Sequence, residues 1–165
     1  MDQSFDVDAI LANMRSQLKQ LCEQRALQDP LMIGIQTGGV WVAERLLDDL
    51  PIPGELGTLN ISFYRDDFTR IGVHPRVTPS QLPFQVEGRD IILVDDVLYT
   101  GRTIRAALNE IFDYGRPRCV VLAVLADRSG RELPIQADVV GQHIELQAGQ
   151  QVKLTGPAPL ALNVI

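Results

Sequence analysis

Two adjacent carboxylates, Asp95 and Asp96, are followed at short range by Thr100, Gly101 and Thr103. Hydroxyl groups and glycine suit a phosphate, because hydroxyls donate hydrogen bonds and glycine permits close approach of the backbone. Carboxylates instead accept hydrogen bonds from a vicinal diol, or meet a phosphate through Mg²⁺. These residue types at this spacing predict a site for a sugar phosphate with free hydroxyl groups. The simpler alternative is a solvated strand end followed by a helix cap.

The segments on either side of this turn place it at the edge of a sheet. Residues 91–94 are all apolar and mostly β-branched, which predicts a strand buried on both faces. A helix that starts after the turn leaves backbone N–H groups without acceptors, and these groups attract an anion. Open α/β folds bind ligands at this edge. The helix is predicted by apolar residues at helical spacing, namely Ile104, Ala107, Leu108, Ile111 and Phe112.

A second strand-turn-helix unit lies earlier in the chain. Residues 31–36 predict a short strand, and Thr37, Gly38 and Gly39 form the turn into a helix. Alone, such a glycine turn is more often simple geometry than a binding site. Beside the first site, it predicts a second anion position.

A third buried strand pattern covers residues 119–127 and again ends in polar residues, Asp127 and Arg128. We expect the segment 127–131 to lie beside the sugar site; a charged connecting loop is the alternative. The alternation of helices and buried strands predicts a single α/β domain over residues 1–165, with a mostly parallel central sheet flanked by helices.

Composition narrows the class of protein. The chain has 165 residues, of which 45% are hydrophobic, and a net charge of −6, so no global field attracts nucleic acid. No apolar run is long enough to span a membrane. The N-terminal residues lack a signal-peptide pattern, so we expect a cytoplasmic protein. Cys22 and Cys119 are expected to be buried reduced thiols, and the two histidines are isolated in the sequence, which does not indicate a metal site.

The first predicted helix carries three cations on its polar face, Arg15, Lys19 and Arg25. We expect solvated charges there, with a nucleic-acid contact as the alternative. The apolar face of the helix comprises Val7, Ile10, Leu11, Met14, Leu18, Leu21 and Cys22, and either Asp6 or Asp8 is expected to cap it.

The stretch from Ile91 to Thr103 resembles the signature of type I phosphoribosyltransferases, which bind 5-phosphoribosyl-1-diphosphate (PRPP). The longer run 94–113, with residues 127–128 and 131–135, resembles the PyrR family of pyrimidine operon regulators and uracil phosphoribosyltransferases. The resemblance implies a type I phosphoribosyltransferase fold with a flexible hood loop at about residues 66–88. It also implies transfer of phosphoribosyl from PRPP to uracil, which gives UMP and pyrophosphate.

The resemblance implies roles for individual residues. Asp95 and Asp96 would hold the ribose hydroxyls and, through water, Mg²⁺, while Arg65 would neutralise the pyrophosphate; these three are the expected catalytic residues. The turn at 37–39 is the counterpart of the pyrophosphate loop, which often carries a cis peptide. The full expected substrate site comprises Thr37, Gly38, Gly39, Arg65, Asp95, Asp96, Val97, Leu98, Tyr99, Thr100, Gly101, Arg102, Thr103, Asp127, Arg128 and Val140.

One position departs from the family pattern. Many relatives have Thr-Arg-Gly in the pyrophosphate loop, and here Gly38 stands in place of the arginine. Loss of that cation predicts weak activity, so a non-catalytic regulator that senses UMP or PRPP is the alternative function. The family commonly binds the leader of pyrimidine messenger RNA, but an acidic chain with Lys19 and Lys153 as its only lysines predicts weak RNA contact. We also expect a homo-oligomer, a dimer or larger.

Overall fold

A five-stranded parallel sheet forms the centre of the fold. The computed structural model describes residues 3–50, 52, 54–61 and 80–165. The elements along the chain are β1 (Gln3–Phe5), α1 (Val7–Gln24), β2 (Leu31–Ile35), α2 (Gly38–Leu47), β3 (Gly57–Leu59), β4 (Asp90–Leu98), α3 (Arg102–Tyr114), β5 (Cys119–Arg128), β6 (Val139–Ile144), β7 (Val152–Thr155) and β8 (Ala161–Val164).

The strand order of the parallel sheet is β3-β2-β4-β5-β6. From β2 the chain moves outward to β3 in one direction, and from β4 it moves through β5 to β6 in the other. The order therefore reverses between β2 and β4. In open α/β sheets the loops that leave two such strands diverge and open a crevice at their carboxyl ends. The two polar turns predicted from the sequence follow β2 and β4, so both lie at this crevice.

Apolar side chains cover both faces of the sheet, as the patterns in the buried strands predicted. On one face Ile92 and Val94 pack with α1 and α2. On the other face Ile91 and Leu93 pack with the apolar residues of α3. Alternate residues of β4 therefore serve opposite cores, which is why this strand reads as a continuous hydrophobic run. The α/β fold with a parallel central sheet is confirmed.

A small antiparallel sheet of order β1-β8-β7 brings the two ends of the chain together. Leu162 and Val164 of this sheet, together with Leu160 just before β8, join the core on the α1 and α2 side of the main sheet. Helix α1 begins as predicted, because the N–H of Ala9 donates to Oδ1 of Asp6 at 3.1 Å. In the part of the chain that the structure describes, no helix combines the length and apolar composition needed to cross a bilayer.

Strand β4 continues further than its sequence pattern suggested. The pattern placed the strand end at the carboxylates, whereas β4 contains both of them and ends at Leu98. Its pairing with β2 reaches only to Gly34 and Val94, but its pairing with β5 continues to Leu98 and Asp127. Asp95 and Asp96 thus follow directly on the last residue of β4 that is paired with β2, at the inner wall of the crevice.

Candidate functional site

The turn after β2 packs directly on the carboxylate segment of β4. A Cβ atom at Gly39 would lie 2.7 Å from the carbonyl oxygen of Val94 and 3.0 Å from Cα of Asp95. A Cβ atom at Gly38 would lie 2.2 Å from Oδ2 of Asp96. Contacts this close exclude any side chain without rearrangement, so both glycines allow the start of α2 to approach β4. The structure therefore brings the turn after β2 against the two carboxylates of β4.

The two carboxylates are fixed by the backbone that follows them. Asp95 is buried, with 5% of its surface exposed, and its Oδ1 accepts the N–H of Asp96 at 2.8 Å. Oδ1 of Asp96 accepts the N–H of Val97, also at 2.8 Å. These bonds orient both side chains before any ligand arrives, and they leave Oδ2 of Asp96 facing Gly38 across the crevice.

Helix α2 starts with its backbone donors uncapped by a side chain. Its N-cap residue, Thr37, makes no side-chain capping hydrogen bond. The peptide between Gln36 and Thr37 is cis, as the family resemblance implied for the pyrophosphate loop. Free N–H groups and the helix dipole together make this helix start a position for an anion.

Helix α3 starts in the same way on the other side of the carboxylates. Gly101 is its N-cap, with φ of +98° and no side-chain capping hydrogen bond, a conformation that favours glycine. Oγ1 of Thr100 accepts the N–H of Arg102 at 3.1 Å. This turn encloses a cavity of about 90 Å³, the volume of roughly three waters and enough for a small anion. The cavity is lined by Val97, Leu98, Tyr99, Thr100, Gly101, Thr103 and Ile104.

The end of β5 supplies a third group of polar side chains. Asp127 pairs in register with Leu98, which places its carboxylate at the edge of the sheet beside the α3 turn. The guanidinium of Arg128 lies over the ring of Tyr99, 3.7 Å from its centroid. The expected position of Asp127 and Arg128 next to the turn is thus what the fold produces, and a cation–π contact links them to it.

Two further residues lie around Asp127. Arg131 belongs to the segment 127–131 that was expected beside the sugar site, although it was not named as a substrate-binding residue, and His143 was not predicted at all. Nη2 of Arg131 lies 2.6 Å from Oδ1 of Asp127, and Nδ1 of His143 lies 3.8 Å from Oδ2. Arg131 reaches the carboxylate from the irregular segment after β5, and His143 reaches it from β6. No periodic pattern in the sequence relates either residue to Asp127. The charged run around Asp127 was the available signal, although it reads equally well as a connecting loop.

Two expected site residues are not placed at the crevice by the described structure. Val140 lies on β6, in register with Val124 and through it with Asp95, and packs against the core on the α3 side.

Arg65 lies outside the described residues, as does most of the expected hood loop. The described end of that loop is anchored, because Gln81 and Thr58 exchange two backbone hydrogen bonds of 2.8 Å. The roles of Val140 and Arg65 stay predictions.

Two of the three cations expected on the polar face of the first helix, Arg15 and Arg25, make hydrogen bonds within the fold. Nη2 of Arg15 donates to the carbonyl of Arg45 at 2.7 Å, and the Arg15 side chain is only 17% exposed. Nη2 of Arg25 donates to Oδ1 of Asp138 at 2.9 Å. The expectation of solvated charges is therefore wrong for Arg15, because its head group bridges α1 to the last turn of α2. These contacts also weaken the alternative of a basic face for nucleic acid.

Comparison with known proteins adds independent findings. A family model described as "Phosphoribosyl transferase domain" matches residues 2–157. The chain is 63% identical to the "Bifunctional protein PyrR" of Nitrosococcus oceani, over 98% of this chain and 92% of that protein. It is 58% identical to the protein of the same name from Pseudomonas paraeruginosa, over 93% and 91%.

Solved structures support the fold. A hypoxanthine phosphoribosyltransferase from Staphylococcus aureus superposes with a TM-score of 0.64 at 20% identity, over 84% of this chain and 74% of that chain. A hypoxanthine-guanine-xanthine phosphoribosyltransferase superposes with a TM-score of 0.62 at 23% identity, over 85% and 76%.

Proposed function

This chain belongs to the PyrR family of phosphoribosyltransferase-domain proteins, and on that premise we propose that it transfers phosphoribosyl from PRPP to uracil and regulates genes of pyrimidine biosynthesis. The observation that carries the proposal is the pair of helix starts, α2 and α3, whose N-cap residues make no side-chain capping hydrogen bond. They lie on either side of the carboxylates of Asp95, which is buried, and Asp96, which is partly buried. PRPP has a phosphate group at each end and a diol between them, which is the same arrangement of charge and hydrogen-bonding groups.

Each part of the site has one part of PRPP to bind. The α3 turn from Thr100 to Thr103, with its cavity of about 90 Å³, takes the 5′-phosphate. The turn from Thr37 to Gly39 takes the pyrophosphate on the backbone donors of α2. Asp95 and Asp96 accept hydrogen bonds from the ribose hydroxyls. Arg65 is assigned to the leaving pyrophosphate by family resemblance alone.

The reaction breaks the bond from ribose C1′ to the pyrophosphate oxygen and forms a bond from C1′ to a uracil nitrogen, which loses its proton. Positive charge develops on the ribose as the pyrophosphate leaves. Asp95 and Asp96, held by the N–H groups of Asp96 and Val97, place negative charge beside it without reorganisation. Alignment of the two substrates contributes further to the rate acceleration. Asp127, at the neighbouring strand end, is assigned to assist loss of the uracil proton.

The carboxylate pair fits a magnesium ion that arrives with PRPP. Mg²⁺ keeps several waters and uses one or two carboxylates together with substrate phosphates. Within the described ranges, no cluster of three or more acidic, histidine or cysteine side chains forms a protein-only metal site, which agrees with this mode. Asp95 and Asp96 would hold the ion, through water, and it would neutralise charge on the leaving pyrophosphate.

Gly38 sets the expected strength of the activity. Without a side chain at this position, the pyrophosphate loop offers backbone donors and no cation of its own. We therefore expect turnover to be slow relative to family members that have an arginine there. The alternative function is a sensor that binds UMP or PRPP on the same scaffold with little or no catalysis, and the contact between Gly38 and Asp96 is the observation that favours it.

We further propose that the protein acts in the cytoplasm as a homo-oligomer and regulates through the leader of pyrimidine messenger RNA. The net charge of −6 and the internal contacts of Arg15 and Arg25 leave few cations for phosphate contacts, so we expect modest RNA affinity with a shallow dependence on salt. Retention of a leader transcript on native gels, with and without UMP and at several salt concentrations, tests this; light scattering of the same sample gives the assembly state. Binding of an unrelated transcript with equal affinity would argue against specific regulation.

The first experiment is to measure UMP formation from uracil, PRPP and Mg²⁺, with calorimetric titration of each ligand on the same sample. Turnover establishes the transferase. Binding of PRPP or UMP without turnover establishes the sensor. Absence of both would reject the phosphate assignments of the α2 and α3 starts.

A further inference from the structure

The loop of residues 127–133 wraps around the outside of the α3 turn. We propose that Arg131 is a positioning residue for phosphate binding, which holds the peptide between Tyr99 and Thr100 so that its N–H faces the cavity. This inference rests on the proposed function only in that the cavity binds a phosphate group. It does not depend on the base or on catalysis.

Arg131 makes two directed contacts from a single guanidinium. Its Nη1 donates to the carbonyl of Tyr99, and its Nη2 donates to Oδ1 of Asp127 at 2.6 Å. The Arg131 side chain is 27% exposed and that of Asp127 is 16% exposed. The guanidinium is planar, so once Nη2 is held by the largely buried carboxylate of Asp127, the direction of the Nη1 donor is also restricted. The carbonyl of Tyr99 is therefore fixed in direction.

The direction of that carbonyl decides where the next amide points. In a planar trans peptide the C=O and N–H lie on opposite sides, so the N–H of Thr100 is directed away from Arg131. The following peptide is held in the same sense, because the carbonyl of Thr100 accepts the N–H groups of Glu132 and Leu133 at 2.9 and 3.0 Å. Thr100 and Gly101 both line the cavity of about 90 Å³. We infer that the N–H groups of these two residues, which point away from the 131–133 segment, are the donors that face a bound anion.

The charges around Arg131 make it an orienting group and not a general attractor of anions. Its positive charge is paired with Asp127, which also has His143 at 3.8 Å. The nearby cations are occupied as well, since Arg128 stacks on Tyr99 and Arg102 pairs with Glu132 at 3.0 Å. What reaches the cavity is the polarised peptide, whose N–H becomes a stronger donor when its C=O is bound by a cation.

The contact also joins two parts of the site. Asp127 lies near the end of β5, next to the expected base and ribose position, while Tyr99 begins the phosphate turn. Arg131 bonds to both of them, and its contact with Tyr99 spans 32 residues of sequence. Removal of Arg131 should therefore affect the binding of any ligand with a 5′-phosphate. A nucleoside, which lacks that phosphate, should be affected much less.

The test compares Arg131→Ala with Arg131→Lys, and with Arg116→Ala as a control. Arg116 is exposed and lies at the opposite edge of the sheet, so the control removes the same charge away from the site. Calorimetric titration with ribose 5-phosphate is expected to show about tenfold weaker binding for Arg131→Ala, and no change for the control. Arg131→Lys reaches one partner but not both, so we expect a loss of about threefold.

A second readout separates orientation from loss of folding. Thermal unfolding identifies any variant that has lost structure; if Arg131→Ala has, the lysine variant decides the question. Ribose 5-phosphate affinity equal to that of the parent in folded variants would overturn the proposal. So would an equal loss for uridine and UMP, because a general disturbance of the site would weaken both. If the parent makes no UMP but ribose 5-phosphate binding still depends on Arg131, the transferase assignment fails while this inference stands.

Discussion

Gly38 lies directly against the Asp96 side chain across the crevice between β2 and β4. A Cβ atom at position 38 would lie 2.2 Å from Oδ2, 2.7 Å from Cγ and 3.1 Å from Cβ of Asp96. The whole Asp96 side chain, and not only its flexible end, occupies the space that a larger residue would need. Glycine at position 38 is therefore matched to the carboxylate position seen here.

This relationship predicts different effects for two neighbouring substitutions. Gly38→Ala should lower PRPP affinity about tenfold, because the Asp96 side chain must move and lose the N–H of Val97, whereas the atoms that it meets within 3.1 Å belong to that side chain and not to the backbone. Gly39→Ala meets the carbonyl oxygen of Val94 at 2.7 Å, which is backbone, and should instead destabilise the protein by about 1–3 kcal/mol. Calorimetry with PRPP and urea unfolding distinguish the two. Wild-type PRPP affinity in a folded Gly38→Ala variant would contradict this account.

Removal of the carboxylate charge should abolish PRPP binding without unfolding the protein. In Asp95→Asn with Asp96→Asn, each amide oxygen still accepts the N–H of the following residue, as the carboxylates do at 2.8 Å. The charge that we propose to orient the ribose and Mg²⁺ is lost, so we expect PRPP affinity to fall by more than about 100-fold.

The matched control for that double variant is Asp48→Asn with Asp49→Asn. It removes the same charge from two consecutive, exposed aspartates just after the end of α2. Calorimetry in the presence of Mg²⁺ should show normal PRPP binding for the control. Equal affinity in the site variant and the control would remove the central assignment of the carboxylates.

The location of the site was predictable because it follows from strand ends. Residues 31–35 and 91–94 are hydrophobic runs that end in polar turns, and parallel strands bring such turns to one edge. The length of β4 was not predictable, since Asp95 and Asp96 are poor strand residues. They remain in the strand because pairing with β5 continues as far as Leu98 and Asp127, a tertiary effect that local preference cannot reveal.

Long-range contacts between charged side chains could not be predicted from sequence patterns. At the candidate site Arg131 reaches Tyr99 from 32 residues away, and at the opposite edge of the sheet Arg118 reaches Asp90 from 28 residues away. No helical or strand periodicity relates these residues. A charged loop with several partners in range gives no preference for one of them. Which charged residues become partners depends on which strands lie side by side, and that order is known only from the assembled sheet.

Asp90 lies at the edge of the sheet opposite the site, and its carboxylate is expected to make the stability of the protein depend on pH in the acid range. Its carboxylate is 2% exposed and accepts from Nε and Nη2 of Arg118 at 2.5 and 2.6 Å and from the N–H of Gln28 at 2.8 Å. The Arg118 hydrogen bonds hold the pKa of Asp90 below its ordinary value, although burial acts in the other direction. A lowered folded-state pKa stabilises the protein above the unfolded-state pKa, near 4, and that contribution is lost as pH falls through the folded-state value.

Asp90→Asn should therefore cost stability at neutral pH and much less in acid. We expect a loss of about 1–2 kcal/mol at pH 7 and pH 5, and a shrinking difference from the parent protein below about pH 4. Urea unfolding at each pH measures it. Asp8→Asn is the control, because Asp8 is 81% exposed in its pair with Arg45 and should change stability little at any pH. A difference between Asp90→Asn and the parent that stays constant down to pH 3 would contradict the linkage.

The two thiols give a prediction that uses the same carboxylate. Burial raises the pKa of Cys119, and its hydrogen bond to Oδ1 of Asp90, at 3.3 Å, raises it further. Burial likewise raises the pKa of Cys22, followed by the charges of Asp90 and Glu23. Because the thiolate is the reactive form, both residues should be alkylated slowly by iodoacetamide at pH 7 in the folded protein.

Substitution of the two acids should separate the two thiols. Asp90→Asn removes the negative charge and lowers both pKa values, so we expect alkylation of Cys119 to become about threefold faster, with a smaller gain at Cys22. Glu23→Gln should accelerate Cys22 alone, because Glu23 acts on that thiol and not on Cys119. Mass spectrometry of peptides after timed alkylation gives each rate. An unchanged Cys119 rate in folded Asp90→Asn would show that burial alone, and not the carboxylate, suppresses the thiolate at this position.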